Sequence, residues 1–155
     1  MTTASDQRRP LRFQSHTDVI ADVEKLISGG FETRGKWTLA QILEHLALAI
    51  DSAYTGFDFT VPLLIRVFVG PFMKKKFVYQ AMPSGFNFRK KTRLQPPADV
   101  DQEEAFAHLR RMLDRLTNEA PTQAHPLIGK LSKEEWYQLS LRHAELHLSF
   151  VHPTS

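Results

Sequence analysis

The stretch that most restricts how this chain can fold is SKEEWYQLSLRHAELHLSF, residues 132–150. It opens with a capping box: the Ser132 hydroxyl can accept from the amide of Glu135, and the Glu135 carboxylate from the amide of Ser132. Leu131 before the cap and Trp136 after it stand where a hydrophobic staple belongs. From there Trp136, Leu139, Leu146 and Phe150 recur with a helical period. His143 and His147 fall inside that same stripe, four residues apart. Two imidazoles one turn apart on a buried face are either a costly way to fill a core or half of a metal site: each needs a partner for a ring nitrogen, and a shared metal ion satisfies both at once.

Such a helix needs others to bury it, and the chain supplies three. The first is expected from Ser15 or Thr17 to about Ser28, with Val19, Ile20, Val23, Leu26 and Ile27 on its apolar face. Gly29-Gly30 stops it, because glycine readily takes the left-handed turn that ends helices. The second is punctuated by Thr38 and Gln41 as a capping box, Trp37 and Ile42 as a staple, and Gly56 at its end. Leu39, Ile42, Leu46, Ala49, Ile50 and Ala53 form its stripe, with His45 on the flank about 85° from the middle. A third follows Pro96-Pro97, with Asp101 and Glu104 as an acidic cap pair and Phe106, Leu109, Leu113 and Leu116 buried. With little strand signal, the pattern is that of an all-α bundle. Residues 1–14 read as a flexible arm and 15–152 as one domain.

Residues 57–98 are less regular. VPLLIRVFVGPFM is apolar but interrupted by Arg66 and Gly70-Pro71, and it ends at Lys74, Lys75 and Lys76. A membrane span needs about 20 mostly apolar residues, so this is not one. A helix from about Pro62 to Tyr79, bent at Gly70-Pro71, is expected. One reading makes it a crossover whose apolar side chains, Leu64 and Phe68 among them, pack over the bundle. The other makes it an amphipathic surface piece.

With no cysteine in 155 residues, disulfides, thiolate ligands and a protein-borne thiol nucleophile are excluded. Any metal must be held by His, Asp or Glu. A net charge of +3 is too weak to argue for nucleic acid. No apolar run follows Arg8-Arg9, as a secretory or twin-arginine signal would require, so a cytoplasmic protein is expected.

A catalytic site of this kind typically takes three protein ligands and keeps one position open. Beside His143 and His147, the third ligand must come from another helix. His45 is the leading candidate and His108, on the flank of the third helix, its rival. His16, His125 and His152 lie near ends or in loops and read as surface or packing residues. The pair is not a zinc-protease HExxH, since Ala144 follows His143 and Glu145 lies about 200° around the helix. Glu145 reads as solvated or capping, and Glu44 as a surface residue or a support to His45.

Three blocks, WTLAQILEHLALAIDSAYTGF, HPLIGKLSKEEW and LRHAELHLSFV, resemble an uncharacterised branch of the DinB-like superfamily. The resemblance implies a four-helix bundle of up-down-down-up type with a long crossover after the second helix. It also implies a three-histidine site with one ligand on helix 2 and two from an HxxxH on helix 4, here His45, His143 and His147. Better-known members look like metal-dependent transferases or isomerases handling low-molecular-weight thiols. The insertion at 57–98 departs from the compact members.

The chain therefore reads as a metal-dependent enzyme of unspecified small-molecule substrate, with zinc, nickel or iron lowering the pKa of a water or substrate atom. The alternative is a non-catalytic module that uses residues 61–93 against a partner subunit or membrane surface. Neither nucleic acid nor membrane is the expected partner, and a homodimer is left open.

Overall fold

The computed structural model describes residues 7–84 and 91–155. The protein is mostly helical, with one small sheet: α1 (His16–Gly29), β1 (Phe31–Thr33), α2 (Leu39–Thr55), α3 (Leu63–Phe68), α4 (Gly70–Tyr79), α5 (Gln102–Asn118), α6 (Lys133–Leu148) and β2 (Val151–Pro153).

The four long helices, α1, α2, α5 and α6, begin where side chains can satisfy their free amides. The Thr38–Gln41 and Ser132–Glu135 boxes are both closed, and α1 adds a third between Ser15 and Asp18. At α5 the Asp101 carboxylate accepts from the Glu104 amide at 2.9 Å. Gly30 and Gly56, with φ of +88° and +103°, end α1 and α2 in backbone conformations that a Cβ would strain.

The core gathers one stripe from each long helix. Leu39, Leu43, Leu46 and Ile50 of α2 meet Ala105, Leu109, Leu113 and Leu116 of α5, with Val19, Val23 and Leu26 of α1 beside them. Helix α6 is buried on more than one side: Trp136 and Leu139 lie on the expected stripe, while Leu141, Ala144 and Leu148 are buried elsewhere around it. It touches α1, α2, α4 and α5. Truncating a leucine such as Leu109 to alanine in a core of this kind costs about 2–5 kcal/mol.

The expected flexible arm is tied down from Gln7 onward. Arg8 Nε donates to Ser149 Oγ at 2.8 Å, and the Arg9 amide to the Ser149 carbonyl at 2.8 Å. Arg9 also forks onto Asp22 and reaches the Val151 carbonyl. The Arg8 guanidinium and the Arg9 amide thus both meet Ser149, the residue that caps the C-terminal end of α6. Further along, Phe13 is buried, its amide donating to Glu145 at 2.7 Å and its carbonyl accepting from Arg142 at 2.6 Å. Glu145 is therefore neither solvated nor capping. It is 3% exposed and paired with Arg142 at 3.0 Å.

The sheet had no signal in the side-chain pattern. β1 and β2 pair antiparallel with Glu32 opposite His152, joining the segment after α1 to the segment after α6.

Between α2 and α5 the expected bent helix is two helices broken at Val69. Helix α4 docks: Phe77 and Val78 are buried and Lys74 Nζ lies 2.9 Å from Glu135 of α6. Gly70 is buried so closely that a Cβ there would stand 2.8 Å from the Leu127 carbonyl oxygen. Helix α3 does not dock, and none of its residues is buried. Leu64 and Phe68, expected to pack over the other helices, are 71% and 69% exposed. A hexamer that is apolar at every position but Arg66 carries no periodicity to say which side it buries, and here it buries none. The basic residues Arg89 and Lys90 of the same segment lie outside the described residues.

Candidate metal centre

His45 projects from α2, and His143 and His147 from successive turns of α6. Their flank and stripe positions bring three Nε2 atoms together: His45 to His143 at 3.1 Å and His147 to His143 at 3.0 Å. One ligand-capable nitrogen from each ring lies within 4.8 Å of the others. Tetrahedral zinc bound at about 2.05 Å holds its nitrogens about 3.3 Å apart, so this spacing suits a shared divalent ion.

Proton accounting points the same way. His45 Nδ1 lies 2.6 Å from the Leu94 carbonyl, which can only accept, so the ring proton sits on Nδ1 and Nε2 offers a lone pair. His143 Nε2 faces two imidazole nitrogens and can donate to only one of them. A cation at the centre would satisfy all three lone pairs, and the Leu94 carbonyl would then play the orienting role common behind metal-ligating histidines. Burial holds all three imidazoles below their usual pKa, against the Leu94 hydrogen bond at His45 and well below it for His143 and His147, where the neighbouring rings add to the effect. They are neutral and ready to ligate at pH 7.

Trp37 lies against two of these rings, 4.7 Å from His45 and 5.6 Å from His147 between centroids. Its place before the α2 cap made it a staple candidate, and it also walls the histidine cluster.

The other histidines separate cleanly. His108 is outside the cluster; its Nδ1 lies 3.0 Å from Glu44, which accounts for both residues as an α2–α5 contact. His152 Nε2 donates to the Gln7 carbonyl. His16 is buried, stacks on Tyr137, and has Nε2 2.8 Å from Ser140 Oγ.

His125 is the residue that sequence reasoning undervalued. With His45, His143 and His147 it lines a cavity of about 790 Å³, walled mainly by apolar side chains including Phe57, Ile50, Leu116 and Leu139. Its Nδ1 faces the amides of Leu127 and Ile128 at 3.2 and 3.3 Å, so Nδ1 accepts and the neutral ring carries its proton on Nε2. Burial pushes its pKa down to about 4. Trp136 lines the same cavity, stacked on Phe57, and its indole N–H is buried with no partner among the described residues. No Asp or Glu is among the described lining residues. A loop position and the absence of periodicity hid His125; the histidine itself was the only sign.

Fold and site together define a class: a mostly helical protein with a three-histidine cluster opening on an apolar cavity. The family model described as "Protein of unknown function (DUF1569)" matches residues 5–154, and the chain belongs to that family. No curated protein and no solved structure matches it.

Proposed function

We propose that the protein is a metal-dependent enzyme in which His45, His143 and His147 hold one divalent ion, with zinc, nickel and iron as the candidates. The observation that carries this reading is the meeting of three imidazole nitrogens with too few protons to bond one another. A bound ion would supply Lewis-acid activation of a substrate atom. The chain's own residues would do the rest. Trp37 fixes two rings, the Leu94 carbonyl sets the tautomer of His45, and the apolar walls exclude water from the reacting atoms.

The indole N–H of Trp136 and the Nε2–H of His125 are two neutral donors on a wall without carboxylates. They suit a small molecule that presents a hydrogen-bond acceptor, such as a carbonyl, beside an apolar body. The DinB-like reading supports a thiol as the reacting group, in a transferase or isomerase. With no cysteine in the chain, that thiol would come from a soluble compound. The same reading takes α1, α2, α5 and α6 as an up-down-down-up four-helix bundle, with 57–98 as its crossover.

Untagged protein purified without added metal should carry about one ion per chain by elemental analysis. His143→Ala and His147→Ala should abolish tight binding and His45→Ala should weaken it severely, whereas His108→Ala should leave the stoichiometry unchanged. Loss of metal in His108→Ala with retention in His45→Ala would refute the assignment. Because burial lowers the imidazole pKa values, the ion should stay bound as pH falls past 6.5, where a free imidazole protonates, and leave only on further acidification. Release that begins above pH 6.5 would argue against three buried imidazoles as the ligands.

A further inference from the structure

Helix α3 and the start of α4 form an apolar tip that the rest of the molecule does not cover. Among the described residues, every large exposed hydrophobic side chain except Ile27 lies between Leu63 and Tyr79. Phe72 is the most exposed at 77%, with Leu63, Leu64 and Phe68 close behind. The tip is not a loosely attached end. Gly70 sits against the Leu127 carbonyl, Phe77 and Val78 are buried, and Lys74 is paired with Glu135. The body of the protein holds α4 firmly and thereby presents α3 to the outside. Contiguous apolar surface of this kind marks an interaction site.

Charge narrows the choice of partner. The segment from Phe59 to Ala98 contains eight of the chain's twenty lysines and arginines and none of its seventeen acidic residues. Within the tip itself, Arg66, Lys75 and Lys76 are exposed and have no acidic neighbour in the sequence to neutralise them. A two-fold dimer through this face would set one lysine cluster against its own copy. A bilayer of anionic phospholipid offers acyl chains to Phe68 and Phe72 and phosphate groups to the lysines just beside them. Tyr79, half-exposed at the far end of α4, has the amphipathic ring favoured at the headgroup level. No helix among the described residues is long and apolar enough to cross a membrane, so the contact is with the surface.

We infer that the α3–α4 tip docks the protein onto anionic lipid surfaces, with Leu64, Phe68 and Phe72 entering the interface and Lys75 and Lys76 meeting the headgroups. This use of the molecule is independent of the histidine cluster and stands or falls separately from it.

Co-sedimentation of the full chain with phosphatidylcholine vesicles, with and without one-third phosphatidylglycerol, tests it. Binding should require the anionic lipid and fade as salt is raised through the physiological range. A Phe68→Ser/Phe72→Ser double variant should bind about tenfold or more weakly, and Lys75→Gln/Lys76→Gln should bind weakly even at low salt. Both should keep the parent's melting temperature and metal content, because none of the four side chains is buried and Lys74, which is paired, is left in place. Vesicle binding that is indifferent to both double variants would overturn the inference. So would an absence of binding together with a concentration-dependent dimer in sedimentation velocity that Phe68→Ser/Phe72→Ser abolishes, since that would give the face to a second copy.

Discussion

His16 shows how much a single ring can hold. It is buried at the meeting of α1, α5 and α6, with Nδ1 facing the Leu113 carbonyl and Thr117 and Nε2 facing Ser140. Burial lowers its pKa from 6.5 to about 4. The unfolded chain therefore takes up a proton before the folded one as pH falls. The stabilisation is complete above about pH 6.5 and is lost progressively down to about pH 4. Between pH 7 and 5 this one residue should remove about 2 kcal/mol of stability. Urea melts at the two pH values should show that much less acid sensitivity in His16→Gln; an unchanged slope would mean the ring titrates normally. At this scale the sequence was legible where residues carry their own spacing. His143 and His147 stood out because a helix puts positions four apart on one side, and His45 because it lay within a long capped helix. Glu145 was misread because its partners, Arg12, Phe13 and Arg142, include residues more than 130 positions away. His125 was passed over because its role depends on a turn that only the folded backbone defines.

The helices α1, α2, α5 and α6 were readable from caps and stripes, since both are local. Helix α3 was not, because apolarity in sequence says that a segment avoids water without saying what it meets. The two halves of that segment now make opposite predictions. Leu64→Asp, expected from sequence to bury an unpaired charge, should leave the thermal melt unchanged, because the side chain already faces solvent. Gly70→Ala should do the reverse. Alanine is the better helix former by about 1 kcal/mol, but its Cβ would stand 2.8 Å from a backbone oxygen that cannot swing aside. Overpacking of this sort typically costs about 1–3 kcal/mol, so the variant should melt lower. A gain in stability would mean that the approach of α4 to the 127–129 turn is not held tightly. The β1–β2 pair escaped sequence reasoning for a related reason: its backbone hydrogen bonds join segments about 120 residues apart and leave no mark on side-chain pattern.

Seen as a whole, the molecule converges on α6, and almost everything that meets there comes from far away in the chain. His45 and His143 are 98 positions apart, Phe13 and Glu145 are 132, and Arg8 and Ser149 are 141. Closing loops of that size must precede any reward from the contacts they bring, which makes such pairings slow to form. In kinetic terms, α6 should be the last large element to find its place, and the histidine cluster should not exist until it does. Stopped-flow refolding in the presence of zinc and a chromophoric chelator should then show helix formation first and metal capture after a lag. Zinc added during that lag should leave the rate of the slow phase unchanged. Once captured, an ion bridging α2 and α6 would act as the cross-link that a chain without cysteine otherwise lacks, and unfolding, rather than folding, should be the step it slows.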